Sequence, residues 1–202
     1  KAIIHRLKKM ISLYRLLLPV LGLFALPYYA YRMLRRGGYG NKFFYRVGRW
    51  PSLPSKKEKV TRIWIQAVSV GELSSIAKLL NFLLSNPSIE VVLTGTTSTG
   101  LKMAAKKYGK KLLGCGPFPL DWLPFSRRVW RTIEPDIAIL VDSKLWPKHF
   151  HQEKKRNIPI IIINARLSDK TYARLLSPYL SWARKLIFPD NISIIASSER
   201  QR

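Results

Sequence analysis

Residues 136–164 have the sequence DIAILVDSKLWPKHFHQEKKRNIPIIIIN, which carries the clearest signal for the type of fold. It opens with an apolar run, Asp136–Val141, and closes with a second one, Ile158–Asn164. A helix-like stretch, Pro147–Arg156, lies between them. Both runs are apolar throughout, without the alternation of a strand that has one wet face. Continuous apolar strands joined by a helix predict a parallel sheet that is covered on both faces.

The same alternation extends along most of the remaining chain. It predicts a Rossmann-like, doubly wound α/β domain over residues 61–202, and such folds bind ligands at the carboxyl ends of their strands. The further strands are expected at Arg62–Val68, Ile89–Gly95, Lys111–Cys115 and Ile192–Ser197. The further helices are expected at Glu72–Ser85, Thr99–Tyr108, Leu123–Thr132 and Thr171–Phe188.

Composition narrows the class of protein. The 202 residues include 36 Lys or Arg and 11 Asp or Glu, which gives a net charge of +25. Hydrophobic residues make up 47% of the chain, and this fraction excludes a disordered basic tail. A single cysteine, Cys115, excludes an internal disulfide and a cysteine zinc site. Three scattered histidines, His5, His149 and His151, do not make a metal site. We therefore expect neither a metal nor a cofactor.

The N-terminal segment is strongly basic. Residues 1–60 contain 14 basic groups and one acid, Glu58. Such a segment favours a polyanionic partner, which leaves nucleic acid, an anionic membrane surface and a phosphorylated lipid as candidates.

An uncharged run, residues 16–31 (LLLPVLGLFALPYYAY), lies inside this basic segment. It is shorter than the roughly 20 residues of a membrane-spanning helix, and Pro19 and Pro27 would kink it. We expect residues 1–36 to form a membrane-associated helix at the bilayer interface and residues 37–60 to form a basic connector. A buried helix of a soluble domain and a true membrane span are the alternatives.

The first strand is followed by Ser69, Val70, Gly71 and Glu72. Gly71 would allow a tight turn into the helix, and Glu72 would lie in its first turn. The spacing of Ser69 and Glu72 is that of a capping box, in which the two residues satisfy each other's backbone amides. A carboxylate at the mouth of the sheet is also suited to act as a general base.

The second strand runs into residues 94–100, TGTTSTG. Two glycines and five hydroxyls before a helix predict a turn whose backbone amides attract a phosphate or another anion. The alternative is an ordinary N-capped turn. The sequence lacks the G-K-[ST] ending of a Walker motif, so nucleotide-triphosphate binding is not indicated.

Charged residues follow the other strands as well. Asp121 is a possible helix N-cap, Asp142 and Lys144 follow the fourth strand, and Arg166 follows the fifth. No GxGxxG, GxSxG or HExxH motif is present, which weighs against dehydrogenases, serine hydrolases and zinc proteases. Glu72 is therefore the candidate catalytic residue, and the candidate acceptor- or anion-binding residues are Ser69, Gly71, Thr96, Thr97, Ser98, Thr99, Gly100, Asp121, Asp142, Lys144 and Arg166.

The loops resemble those of 3-deoxy-D-manno-octulosonic acid (Kdo) transferases. Residues 65–72 (IQAVSVGE) are similar to the family's HAVSVGE segment, with Gln66 where the family usually has His. Residues 94–100, the FPLD of 118–121, the LWP of 145–147 and the IP through NARLS of 158–168 match further family blocks in order. The resemblance implies one half of a GT-B glycosyltransferase, the half that binds the lipid acceptor, with Glu72 as the proposed base.

The resemblance also implies partners and a place in the cell. Kdo would pass from CMP-Kdo to a lipid A precursor in lipopolysaccharide biosynthesis, at the cytoplasmic face of the bacterial inner membrane. The chain ends at Arg202, about where the linker to the donor domain would begin, so we expect little catalysis from the chain alone. The family's ETE reads DSK at residues 142–144, which reverses one charge.

Two functions without glycosyl transfer are the alternatives. One is a non-catalytic, membrane-bound module that binds lipid A or another anionic lipid. The other is a basic α/β domain that binds nucleic acid. The aliphatic strands argue against nucleic acid, because RNA-binding sheets present aromatic residues among basic ones.

Overall fold

The computed structural model describes residues 40–67, 69–142, 146–165 and 192–196, together with positions 20, 22–25, 27, 28, 31 and 35. The chain divides into two compact units, residues 1–39 and 40–202. Within the described residues, no helix has the length and apolar character needed to cross a membrane. Most of the predicted membrane-associated segment, and the predicted helix Thr171–Phe188, lie outside the described residues.

Six parallel strands form one sheet in the order β3-β2-β1-β4-β5-β6. This confirms the predicted parallel α/β sheet, and the order is that of a doubly wound Rossmann-like fold, whose topological switch point lies between β1 and β4. The strands are β1 Thr61–Gln66, β2 Ile89–Gly95, β3 Gly114–Pro117, β4 Ile137–Val141, β5 Ile160–Ala165 and β6 Ile192–Ala196.

Five α-helices and one 3₁₀ helix accompany the described strands. The 3₁₀ helix spans Gly40–Val47, and the α-helices are α1 Val70–Ser75, α2 Ala77–Ser85, α3 Ser98–Tyr108, α4 Leu123–Ile133 and α5 Pro147–Arg156.

Most predicted bounds differ from the structure by one or two residues, and two elements differ more. The single helix expected at Glu72–Ser85 is two helices, because Ile76, with φ −98° and ψ 7°, breaks the helical path between them. The third strand begins at Gly114 rather than Lys111, because the Lys111 and Leu112 amides both donate to the Tyr108 carbonyl and complete the turn that follows α3.

Both faces of the sheet are covered, as the continuous apolar strands predicted. On one face, Trp64 of β1 packs edge-on against Trp130 of α4, with the ring centroids 5.0 Å apart. On the other face, Ile65 lies in a cluster with Leu73 of α1 and Leu80 of α2. Successive residues of β1 therefore serve two separate cores, because side chains alternate across a strand.

Residues 40–53, part of the predicted connector, pack on the sheet. The Tyr45 ring lies 4.8 Å from that of Trp50, and both belong to the core around Trp64. The Lys42 ammonium donates to the Cys115 carbonyl at 2.8 Å. A Cβ at Gly116 would lie 2.5 Å from the Tyr45 ring, so β3 approaches the 3₁₀ helix as closely as glycine permits.

At the amino edge of the sheet, Arg62 is buried within a set of hydrogen bonds. Its guanidinium pairs with Glu90 at 2.8 Å and donates to the carbonyls of Ile133 and Pro54. The nearby Lys56–Asp136 ion pair is much more exposed, at 36% and 37% of the two side chains.

We predict that Arg62→Met lowers the free energy of unfolding by about 3 kcal/mol, because it leaves the Glu90 carboxylate and two carbonyls without their partner. The matched variant Lys56→Met removes one member of an exposed pair and should cost less than about 1 kcal/mol. Urea unfolding followed by tryptophan fluorescence measures both. Equal losses for the two variants would contradict the structural role assigned to Arg62.

Candidate functional site

The candidate site lies at the topological switch point between β1 and β4, at the carboxyl edge of the sheet. β1 and β4 are hydrogen-bonded neighbours, with Gln66 paired to Leu140 at their carboxyl ends. The chain leaves β1 toward β2 and leaves β4 toward β5, so a crevice opens between the two loops. Glu72 lies on the helix that follows β1, and Asp142 follows β4 directly. Two of the predicted site carboxylates therefore border this crevice.

Ser69 caps α1, as the sequence predicted. Its backbone is extended, with φ −135° and ψ 170°, and its hydroxyl accepts from the Glu72 amide at 3.3 Å. The same hydroxyl lies 3.4 Å from Oε1 of Glu72 and donates to it. The Ser69 hydroxyl thus contacts both the amide and the carboxylate of Glu72, which is half-buried in the first turn of the helix.

The turn predicted at Gly71 is wrong, because Gly71 is the second residue of α1. Ser69, in its extended conformation, makes the change of direction instead. Gly71 is exposed, and a Cβ there would meet only the Ser69 hydroxyl, at 3.9 Å. Among the described residues, a side chain at position 71 would therefore meet little beyond the Ser69 hydroxyl.

The turn after β2 is also capped. Thr97 has an extended backbone, and its hydroxyl accepts from the Gly100 amide at 3.3 Å. This confirms an N-capped turn into α3. Residues Thr96, Thr97 and Ser98 are half-buried, and Thr99 is exposed. Binding of an anion at this turn stays a prediction.

The two capped turns lie against each other. The Ala67 amide donates to the Thr94 carbonyl at 2.9 Å. A Cβ at Gly95 would lie 2.9 Å from the Ala67 carbonyl oxygen. A Cβ at Gly100 would lie 3.4 Å from the Ser69 carbonyl carbon. Glycine at these positions lets the start of α3 approach the start of α1 closely.

Asp121 has a role that its position in the sequence does not reveal. One of its carboxylate oxygens accepts from the Lys148 amide at 2.9 Å and from the His149 amide at 3.1 Å. It therefore caps α5 rather than α4, the helix that follows it. Burial raises the pKa of Asp121 to about 6, and the two amides and the Lys148 charge offset only part of that effect.

His149 belongs to the scaffold beneath this edge. Its Nδ1 accepts from the Trp130 indole at 3.1 Å, and its ring lies 4.5 Å from that of Phe118. Complete burial lowers the pKa of His149 to about 3, and the Pro119 carbonyl opposes the shift only weakly, so the ring is neutral. Among the described residues, no group of three metal-ligating side chains occurs.

Gln66, the residue that departs from the family pattern, is also buried on this side. Its amide has no hydrogen-bond partner among the residues that the structure describes. It lines a cavity of about 10 Å³ with Trp64 and His149, a volume that fits about one water molecule. The sequence marked Gln66 only through the resemblance, and its burial follows from its place on the face of β1 that also carries Trp64.

The fourth and fifth loops are described only in part. Asp142 has a left-handed backbone, with φ +70°, and its amide donates to the Ile163 carbonyl at 3.0 Å. Lys144 and Arg166 lie outside the described residues. In the described part of the chain, the site therefore combines a fixed carboxylate with two adjacent helix starts, an arrangement that suits proton acceptance beside an anion.

The 3-deoxy-D-manno-octulosonic-acid transferase (kdotransferase) family matches residues 41–202. The chain belongs to this family. The 3-deoxy-D-manno-octulosonic acid transferase of Rickettsia conorii is 29% identical over 157 residues, which cover 76% of this chain and 33% of that protein. The enzyme of the same name from Haemophilus influenzae is 36% identical over 114 residues, which cover 55% of this chain and 26% of that protein.

A relative with a second activity in its name also matches. The bifunctional glycosyltransferase/methyltransferase of Fusobacterium nucleatum is 32% identical over 113 residues, 55% of this chain and 18% of that protein. The chain therefore spans about a third or less of the length of these curated relatives.

We predict that Asp121 makes the protein less stable as the pH rises. Its pKa is above the ordinary value, so the folded state keeps the proton that the unfolded state loses between about pH 4 and pH 6. Relative to Asp121→Asn, the free energy of unfolding of the wild type should fall by about 2–3 kcal/mol between pH 4 and pH 7. Urea unfolding across this pH range measures the difference.

Asp136→Asn is the matched control, because the contacts of Asp136 with Lys56 and Arg62 hold its pKa below the ordinary value despite some desolvation. The stability that Asp136 contributes is present above the ordinary carboxyl pKa and is lost as the pH falls. The two variants should therefore show pH dependences of opposite sign. The same sign for both would refute the burial effect at Asp121.

Proposed function

We propose that the chain is the acceptor-binding half of an inverting GT-B glycosyltransferase that moves Kdo from CMP-Kdo to a lipid A precursor in lipopolysaccharide biosynthesis. The observation that carries the proposal is the Glu72 carboxylate, held by the Ser69 cap at the crevice between β1 and β4. Membership of the Kdo transferase family supports the same reaction.

In the proposed reaction, an acceptor hydroxyl attacks the anomeric carbon of Kdo. Its proton passes to the Glu72 carboxylate as the new carbon–oxygen bond forms. The bond between the anomeric carbon and the phosphate oxygen of CMP breaks on the opposite side of the sugar, and CMP leaves with the electron pair. Attack and departure on opposite sides invert the configuration.

The proposed acceptor contacts surround Glu72. Gly71 is exposed one residue before Glu72, and in the proposal the turn of residues 96–100 supplies hydroxyls and helix-start amides to an acidic acceptor. Asp142, Lys144 and Arg166 complete the proposed set. We assign Asp121 an indirect part, because its carboxylate is engaged by the first amides of α5. CMP-Kdo would bind mainly to a second Rossmann-like domain, as the family resemblance implies.

The proposed location is the cytoplasmic face of the bacterial inner membrane, with residues 1–36 as a membrane-associated segment. Support comes from the basic composition of this segment and from its uncharged run. Leu23, Phe24 and Tyr28, which the structure describes, are exposed. These side chains are of the kinds that enter a bilayer interface.

We predict that Glu72→Gln lowers the rate of Kdo transfer by about 10²–10⁴-fold, because the amide does not accept the proton. Transfer is measured from CMP-Kdo to lipid A precursor, with the remaining portion of the Rickettsia conorii relative joined to the chain to supply the donor domain. Glutamine is accepted in a capping box, so the unfolding midpoint and acceptor binding should stay close to those of the wild type.

Glu58→Gln is the control for loss of a negative charge, because Glu58 is exposed in a turn remote from the crevice. It should transfer Kdo at the rate of the wild type. Unchanged transfer by Glu72→Gln would exclude Glu72 as the base and leave it a capping residue. Lipid binding without transfer by the wild type would favour the non-catalytic, lipid-binding alternative.

A further inference from the structure

Two buried polar side chains beneath the carboxyl edge of the sheet lack a hydrogen-bond partner. They are Gln66, through both atoms of its amide, and His149, through Nε2, and neither bonds to any residue that the structure describes. Only 1% of Gln66 and 3% of His149 is exposed. Buried polar groups are nearly always hydrogen-bonded, because an unpaired group has lost its bonds to water without replacement. The two side chains therefore require a further partner.

Both residues line the same cavity of about 10 Å³. The other lining side chains are apolar, apart from the indole N–H groups of Trp64 and Trp130. Those two groups are already satisfied, because they donate to the Thr94 hydroxyl at 2.9 Å and to Nδ1 of His149 at 3.1 Å. Among the described residues, the unpaired side-chain polar atoms around the cavity thus belong to Gln66 and His149.

The unpaired nitrogen of His149 is a donor. Nδ1 accepts from the Trp130 indole, so it carries no proton. Burial lowers the pKa of His149 to about 3, so the ring is neutral and its proton is on Nε2. The Gln66 amide adds donors on its nitrogen and an acceptor in Oε1. A water molecule can accept from both nitrogens and donate to the Gln66 oxygen, and about three hydrogen bonds are typical of a buried water.

We propose that Gln66 and His149 together bind one internal water molecule beneath the switch point. The cavity volume matches one water and is too small for a larger ligand. A metal ion does not suit the site, because the protonated Nε2 of His149 has no lone pair to coordinate it. Without the two polar side chains, a cavity lined by Trp64, Phe118 and Trp130 would be apolar and would stay dry.

The proposed water joins the two elements on either side of the switch point. Gln66 is the last residue of β1, and the amide of the next residue, Ala67, donates to the Thr94 carbonyl at 2.9 Å. His149 is the third residue of α5, the helix that follows β4, and its amide donates to Asp121 at 3.1 Å. A water bound to both side chains therefore links the end of β1 to the start of α5.

Within the proposed transferase function, Gln66 is a positioning residue. The chain runs from Gln66 through the contact at Ala67 to the Ser69 cap and Glu72. The bound water restricts movement of the end of β1 and so of the turn that carries the proposed base. Gln66 touches no reacting group, and its effect passes through Glu72. Only this role rests on the proposed function, because water binding is tested without acceptor or donor.

Water binding is tested by NMR on the isotopically labelled full chain in detergent micelles. Rotating-frame Overhauser spectra record transfer from water to protein protons, and the sign of a cross-peak separates a bound water from proton exchange. We expect cross-peaks from water to the side-chain amide protons of Gln66 and to Hε2 of His149. The absence of both would show a dry cavity and would overturn the proposal.

One variant and a matched control show whether the two side chains share the water. Gln66→Met removes the amide at nearly constant volume and should abolish the cross-peak at His149. Tyr108→Phe should leave both cross-peaks as in the wild type. The Tyr108 hydroxyl is also buried without a hydrogen-bond partner among the described residues, but it lies in the core on the other face of the sheet. A cross-peak at His149 that survives Gln66→Met would contradict the shared site.

The positioning role is tested by Kdo transfer, with the chain joined to the donor portion of the Rickettsia conorii relative. Gln66→Met should lower kcat about tenfold and leave KM for lipid A precursor unchanged, because the base is less well oriented while the acceptor contacts remain. A purely structural role would lower the unfolding midpoint and leave kcat of the folded protein unchanged. Tyr108→Phe should keep the kcat of the wild type.

The two parts of the proposal fail in different ways. An unchanged kcat for Gln66→Met would contradict the positioning role. Glu72→Gln should lose transfer but keep both water cross-peaks, since Glu72 does not line the cavity. Failure of the proposed transferase function and failure of the water site are therefore seen separately.

Discussion

The turns that follow β1 and β2 are packed so closely that side chains are excluded between them. Gly95 lies against the Ala67 carbonyl, and Gly100 lies against the peptide that joins Ser69 to Val70. This contact brings the starts of α1 and α3 side by side at the carboxyl edge. The capping of both helices, the position of Glu72 and the placing of the hydroxyl-rich turn all depend on it.

The order of the strands places this contact beside the crevice at the carboxyl edge of the sheet. β1 and β4 are neighbours, and the connections that follow them run in opposite directions across the sheet. The turn after β1 therefore has the turn after β2 on one side and the crevice on the other. Glu72 thus lies on a helix whose start is packed beside the start of α3 on one side and borders the crevice on the other. The proposed role of Glu72 as the base requires both, since the negative groups of the proposed acceptor need donors near the carboxylate that takes the proton.

Much of this architecture was predictable from local sequence. The uninterrupted apolar runs at 137–141 and 160–163 predicted parallel strands with two covered faces, because a strand with one wet face alternates. The spacing of Ser69 and Glu72 predicted the cap on α1, because a capping box is a local pattern of four residues. The residues and the order of the loop blocks led to the family, which the match over residues 41–202 confirms.

The features that escaped prediction depend on contacts between distant residues. Asp121 caps a helix that begins 26 residues later, which its local sequence does not reveal. Tyr45 and Trp50 lie in a Gly- and Lys-rich stretch that suggests a connector, yet they pack on β3. The break at Ile76 involves no glycine or proline, and α1, Ile76 and α2 pack on one core, so no local signal marked it.

The central claim is that the carboxyl edge of the sheet binds the acceptor. It is tested by residue-resolved NMR of the chain in detergent micelles that contain lipid A precursor, with empty micelles as the reference. The amides of Ser69, Glu72, Thr97 and Gly100 should show the largest changes in chemical shift, because they lie at the two adjacent helix starts beside the crevice. Changes centred instead on the amino edge, around Lys56 and Arg62, would contradict an acceptor site at the switch point.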